Sequence, residues 1–149
     1  MGAGMSGDPF SLSRFIEAQA GGVYEQALVE IQAGQKRTHW MWFIFPQLRG
    51  LGLSPIAQYF GIASLDEARA YLEHPLLGRR LRECVEAILP WADRCSADQV
   101  LGSVDAMKLR SNFTLFDRVE PSKLFAAGLA AFFDGERDER TLALLNAAQ

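Results

Sequence analysis

Cysteine and histidine are scarce in this chain, with two of each among 149 residues. Cys84 and Cys95 cannot build a disulfide framework. With His39 and His74 they show no CxxC, HExxH or comparable clustering, so neither a metal nor any other cofactor is expected. No GxSxG elbow and no GxxxxGK[ST] loop occurs. Gly50-x-Gly52 lacks both the third glycine and the preceding strand of a dinucleotide fingerprint, so hydrolase-elbow, P-loop and Rossmann chemistry have no sequence support. Long hydrophobic runs are missing too: the uncharged run 124–133 is about half of the ~20 residues a spanning helix needs and reads as a core helix. Nor is there an excess of one charge. Fifteen Lys and Arg stand against eighteen Asp and Glu, a net charge of −3, which is no footprint for general nucleic-acid or anionic-membrane binding but leaves room for a local basic patch.

No charged-then-apolar leader and no disulfide set is present, so a cytoplasmic location is expected. Residues 1–6 fit the pattern for N-myristoylation, but a start containing Gly2, Gly4 and Met5 reads more simply as a flexible leader over residues 1–7. Without a repeat, a low-complexity tract or a long Pro/Gly/Ser linker, residues 8–149 are expected to form a single helical domain.

What the chain has is apolar content at helical spacing. Hydrophobic residues make up 49%, and a chain of this length hides roughly 70% of its unfolded surface on folding, enough for one core without staples. Phe10, Leu12, Phe15 and Ile16, then Val23, Ala27, Leu28 and Ile31, recur every three to four residues. They predict two helices parted at Gly21-Gly22, the second stopped at Gly34. Ser64 with Glu67 reads as a capping box opening a helix through Leu72, and Pro75 as the first residue of the next, whose stripe is Leu76, Leu77, Leu81, Cys84, Val85 and Ile88. Ser96 and Ser103 are further candidate N-caps, and residues 121–133 and 140–147 complete the pattern. Period-two alternation is almost absent, residues 39–45 alone fitting helix and strand equally. The expected fold is all-α, with six to eight helices and an irregular segment over residues 46–62 as the place where function concentrates.

Residues 36–55 hold two of the three tryptophans, one histidine and three cations. Indole and imidazole carry polar atoms that need partners when buried, so two readings stay open: a pocket wall, or an aromatic core around Trp40, Trp42, Phe43 and Phe45. In the pocket reading the ligand is nucleotide-like and anionic. Trp40 and Trp42 are stacking surfaces, Lys36, Arg37 and Arg49 meet phosphate, Gly50, Gly52 and Ser54 shape the loop, and His39 and Gln47 join the wall. Asp105, Lys108 and Ser111 or Asn112 share one face of a later helix. If an N-glycosidic bond is hydrolysed, Asp105 is the candidate catalytic carboxylate; otherwise Asp105 and Lys108 are a surface pair at a helix start. Arg79, Arg80 and Arg82 read as a solvated helix face, or as the contact strip of a non-enzymatic interaction module.

The run Lys36-Arg37-x-His39-Trp40-Met41-Trp42-Phe43-x-Phe45-Pro46-Gln47-Leu48-Arg49-Gly50-Leu51-Gly52 resembles the domain-of-unknown-function family eighteen-ten. So do Asp8-Pro9-Phe10, Tyr59 with Gly61-Ile62, Glu67-Ala68, Leu76-Leu77-Gly78 and Lys108-Leu109. Asn112-Phe113-Thr114-Leu115-Phe116 stands where the family commonly has Ser-Met-Thr-Leu-Phe. The resemblance implies a mainly helical domain and brings no established activity. Some members carry a calpastatin label, although the inhibitor of that name is an extended disordered chain and this sequence is the opposite. The family is also similar, distantly, to NADAR proteins, which process ADP-ribose and related N-glycosides, and no catalytic residue is carried over from them.

Overall fold

The computed structural model describes residues 8–121 and 123–147, so the leader expected over residues 1–7, with its acylation pattern, lies outside the described residues. Ten α-helices lie among those described: α1 (Ser13–Gln19), α2 (Val23–Gln32), α3 (Met41–Ile44), α4 (Pro55–Phe60), α5 (Leu65–Glu73), α6 (Leu77–Ile88), α7 (Ala97–Leu101), α8 (Ser103–Val119), α9 (Lys123–Phe133) and α10 (Glu139–Ala147). A 3-10 turn follows α6 at Leu89–Asp93. The all-α class holds, and the expected count of six to eight is too low. The additional helices are short: α3, α4 and α7 have four, six and five residues, about one turn each, which a periodicity window of 11–18 residues cannot isolate. The ambiguous residues 39–45 contain α3. The only pairing of extended backbone among the described residues is a parallel bridge between Leu48 and Ile62.

Helix α8 is the axis. Seven consecutive residues, Ser111 to Asp117, are buried, so neighbours surround this part of the helix, with α5, α7, α9 and α10 packed on it. Three of its buried polar side chains donate to main chain: Ser111 Oγ to the Met107 carbonyl, Thr114 Oγ1 to that of Arg110, and Asn112 Nδ2 to that of Pro46 at 2.7 Å, while Asp117 pairs with Arg137. Hydrogen-bonded in this way, hydroxyl groups can enter a core at little cost, whereas Asn112 Oδ1 has no partner among the described residues. Phe113 and Phe116 meet Phe45, Phe125 and Tyr71 at centroid distances of 5.6–6.5 Å, joining helices from across the chain in one buried cluster.

Two expected helix starts and one expected capping box are corrected. Gly102, at φ 92°, is the N-cap of α8, and Ser103 is its first helical residue. Pro75 lies two residues before α6, in the turn after His74, whose Nδ1 accepts from the Leu76 and Leu77 amides. At α5, Ser64 Oγ does accept from the Glu67 amide, but the Glu67 carboxylate reaches the Ala63 amide and Arg14 instead of closing the box. The reciprocal box is at α7, between Ser96 and Gln99.

Gly78 sets how closely α6 approaches the end of α5, since a Cβ there would strike the Leu72 carbonyl carbon at 2.8 Å. Gly78→Ala, which in an open helix would stabilise by about 1 kcal/mol, is therefore expected to destabilise by about 1–3 kcal/mol in urea unfolding.

Candidate functional site

The segment leading into α3 is organised by one carboxylate. Glu30, buried on α2, accepts from the Arg37 and Thr38 amides at 2.8 and 3.0 Å, from Thr38 Oγ1 at 2.7 Å, from Trp40 Nε1 at 2.8 Å and from Gln26 Nε2 at 2.9 Å. Burial by itself pushes the Glu30 pKa up, but the N–H and O–H groups of Arg37, Gln26 and Thr38 outweigh it and hold the carboxyl well below the usual carboxylate range. Trp40 is thereby turned inward and buried, so its indole belongs to the core reading and offers no stacking face to solvent. The Arg37 guanidinium stays exposed, and His39, also exposed, borders a separate cavity with Gly21, Gly22 and Thr38.

Lys36, Asp105 and Lys108 do come together. Asp105 is clasped by Lys36 Nζ at 2.9 Å and Lys108 Nζ at 3.3 Å, and these ammoniums lie over the Trp40 and Trp42 rings at 5.2 and 4.8 Å from their centroids. Trp42, Gln47 and Lys108 meet at a narrow crevice with Ala57 and Phe60, of about 10 Å³, room for about one water. Ser111 is buried and bonded within α8. The Arg79–Arg82 strip is largely occupied by its own chain: Arg79 faces Glu83, Arg80 covers the Tyr24 ring and bonds Gln19, and Arg82 pairs with Glu120.

Arg49 lies apart from this group. A Cβ on Gly61 would meet the Arg49 Cα at 2.7 Å, so only glycine lets the two segments run side by side at the Leu48–Ile62 bridge. From there Arg49 Nε donates to the Gln58 carbonyl at 3.2 Å and Nη2 to that of Gly61 at 3.0 Å. Gly50, at φ 107°, turns the chain beneath Leu144 of α10, Gly52 lies against Ala57, and Ser54 spends its hydroxyl capping α4 through the Ala57 amide.

Two cavities share the walls Arg49 and Ala63. One, of about 440 Å³, is bordered by Phe10, Ser11, Arg14, Gln58 and Tyr59; the other, of about 350 Å³, by Leu48, Ser64, Leu65, Asp66 and Leu144. The first is floored by a buried ion pair, Arg14 Nη2 to Glu67 Oε2 at 2.6 Å. Arg14 also donates to the carbonyls of Tyr59, Phe10, Ser11 and Gly61, which uses all five of its N–H groups. It is therefore a rivet between α1, residues 59–61 and α5. Arg49 is its complement: it has no carboxylate partner among the described residues, and its two hydrogen bonds leave three of five N–H groups free.

Arg14, Glu67 and Glu30 escaped the sequence reading as site-forming residues. The available signal was a charge inside an apolar stripe: Arg14 between Leu12 and Phe15, Glu30 beside Ile31, Glu67 beside Ala68.

The family model described as "Protein of unknown function (DUF1810)" matches residues 9–145. The chain belongs to this family. A solved crystal structure, that of the conserved hypothetical protein Rv1873 from Mycobacterium tuberculosis, is 50% identical, with 93% of this chain and 99% of that chain covered and a TM-score of 0.89. No curated protein matches this DUF1810 member. Among the described residues, no helix is long and apolar enough to cross a membrane.

Proposed function

We propose that this protein binds a small, nucleotide-like anionic ligand in the paired cavities around Arg49. The observation that carries the reading is Arg49 itself: a cation with three unused donors and no ion pair among the described residues, on the shared wall of two cavities each within the ~300–1,000 Å³ typical of ligand pockets, where Glu67 is already paired with Arg14 and Asp66 with Arg69. A planar guanidinium with free parallel donors suits a phosphate or carboxylate. Exposed Tyr59 and half-buried Phe10 supply apolar and aromatic surface on one side, and Leu48, Leu65 and Leu144 supply aliphatic surface on the other. Trp40 and Lys36 are occupied by Glu30 and Asp105, so Arg49 takes their place as the ligand's partner. Asp105 lines neither cavity, so the proposal is one of binding and assigns no hydrolytic step. The two free thiols accord with a cytoplasmic setting: Cys95 is half-buried, and burial pushes the Cys84 thiol up to about 12, leaving it an inert core residue.

Titration calorimetry with AMP, ADP, NAD and ADP-ribose tests this, the last included because of the NADAR resemblance. At least one is expected to bind and to raise the melting temperature in a concentration-dependent way. Arg49→Ala is expected to weaken that binding about tenfold or more, with Arg37→Ala without effect. Gly61→Ala, which displaces the Arg49 backbone, should weaken it in the same direction. No heat and no thermal shift across the series would reject the reading.

A further inference from the structure

Arg49 and Ala63 are the residues that line both cavities. Both are exposed, so the boundary between the cavities lies at the surface, and Ala63 adds only a methyl group to it. A ligand seated in one cavity can therefore continue across this boundary into the other. The two sides differ in chemistry. Phe10 and Tyr59 give the larger cavity an aromatic wall, whereas Ser64 and Asp66 border the smaller one. Ser64 Oγ accepts from the Glu67 amide, which leaves its own hydrogen to donate. Asp66 meets Arg69 through Oδ1 at 3.3 Å, and its Oδ2 has no partner among the described residues. A free hydroxyl hydrogen beside a free carboxylate oxygen suits the alcohol groups of a sugar, and Leu65 and Leu144 offer aliphatic surface to its C–H groups.

The same residues fix where the ligand carries its charge. In the larger cavity Arg14 has spent all five N–H groups and is neutralised by Glu67. In the smaller one the exposed Asp66 carboxylate repels an anion. Among the residues lining the two cavities, Arg49 alone combines a positive charge with unused donors, and it stands at the boundary. A phosphate is thus received between the two cavities and not at the far end of either. Resting on the reading that these cavities bind a nucleotide-like anion, we infer that the ligand is two-lobed and bridged by an internal phosphate group. Its base packs against Phe10 and Tyr59, the bridge lies on Arg49, and a sugar-bearing lobe reaches Ser64 and Asp66. A mononucleotide, which ends at its phosphate, fills one cavity and leaves the other unused.

Calorimetry on the full chain compares NAD and UDP-glucose, in which a diphosphate joins a base-bearing lobe to a sugar-bearing one, with AMP and UMP, which stop at the phosphate. At least one bridged compound is expected to bind with one-to-one stoichiometry, at least about tenfold more tightly than the mononucleotide that forms its base end. Tyr59→Ser and Asp66→Ala alter exposed side chains and should leave the melting temperature of the free protein little changed. Asp66→Ala is expected to weaken the bridged compound about fivefold or more without weakening AMP or UMP, because only the bridged compound reaches the smaller cavity. Tyr59→Ser should weaken the bridged compound and its mononucleotide together, since both place a base against that wall. Equal affinities for the bridged compound and its mononucleotide, or a bridged compound indifferent to Asp66→Ala, would overturn the two-lobed ligand while leaving anion binding at Arg49 in place. Absence of binding by all four compounds would instead reject the underlying reading, and this inference with it.

Discussion

Glu67→Ala is expected to destabilise the protein by about 3–5 kcal/mol, a large part of the ~5–15 kcal/mol that holds a domain folded. The guanidinium of Arg14 is 8% exposed and Glu67 is its only ion-pair partner among the described residues, so truncation strands a positive charge in the interior and also orphans the Ala63 amide that Glu67 Oε1 receives. The four carbonyls around Arg14 satisfy donors but carry no net charge to balance it. Urea unfolding followed by far-ultraviolet circular dichroism measures the loss. The double replacement Arg14→Met with Glu67→Leu is expected to recover much of it, because a buried pair removed together leaves no uncompensated charge. Equal losses in the single and double variants would show that packing and main-chain anchoring, and not the stranded charge, dominate at this corner. Since Arg14 and Arg49 both hold the Gly61 carbonyl, Glu67→Ala should also loosen the floor of the proposed ligand cavity.

Glu30→Ala is expected to be of similar size, about 3–5 kcal/mol, for a different reason. Here no cation is stranded; five donors from Gln26, Arg37, Thr38 and Trp40 lose their acceptor at once, and the Trp40 indole N–H loses it inside the core. Glu30→Gln keeps one carbonyl oxygen for the Arg37, Thr38 and Trp40 N–H groups and should cost less than half as much, since Thr38 and Gln26 can rotate to accept. The carboxylate also makes stability depend on pH. Its folded-state pKa lies below that of the unfolded chain, so its contribution is complete above about pH 4.3 and is lost as pH falls below that value. The wild type should therefore lose stability faster than Glu30→Gln between neutral pH and pH 3, and parallel acid profiles for the two would contradict this account.

Much of the architecture was legible before any coordinates. The all-α class, the break at Gly21-Gly22, the stop at Gly34, the buried stripe of α6 and the Ser96 cap of α7 all follow from periods of three to four residues and from local capping chemistry. The errors came where the local signal is one turn long or is shared between adjacent residues, as at α3 and the Gly102-Ser103 start of α8. The site was less legible. Composition drew attention to residues 36–55, and that segment does contain Arg49, but it also contains Trp40 and Lys36, whose polar groups are engaged by Glu30 and Asp105.

The scarcity of cysteine, of long apolar runs and of charge imbalance narrowed the classes of protein, and helical spacing determined which faces are buried, because both depend only on residue type and near neighbours. Which cations remain free was decided by tertiary structure alone. Arg14 meets Glu67 across 53 residues of sequence, while Lys36 and Lys108 converge on one Asp105 from different parts of the chain. Charge neutralisation acts through space over a few ångströms, so it is invisible to spacing along the chain. It leaves Arg49 open between two cavities.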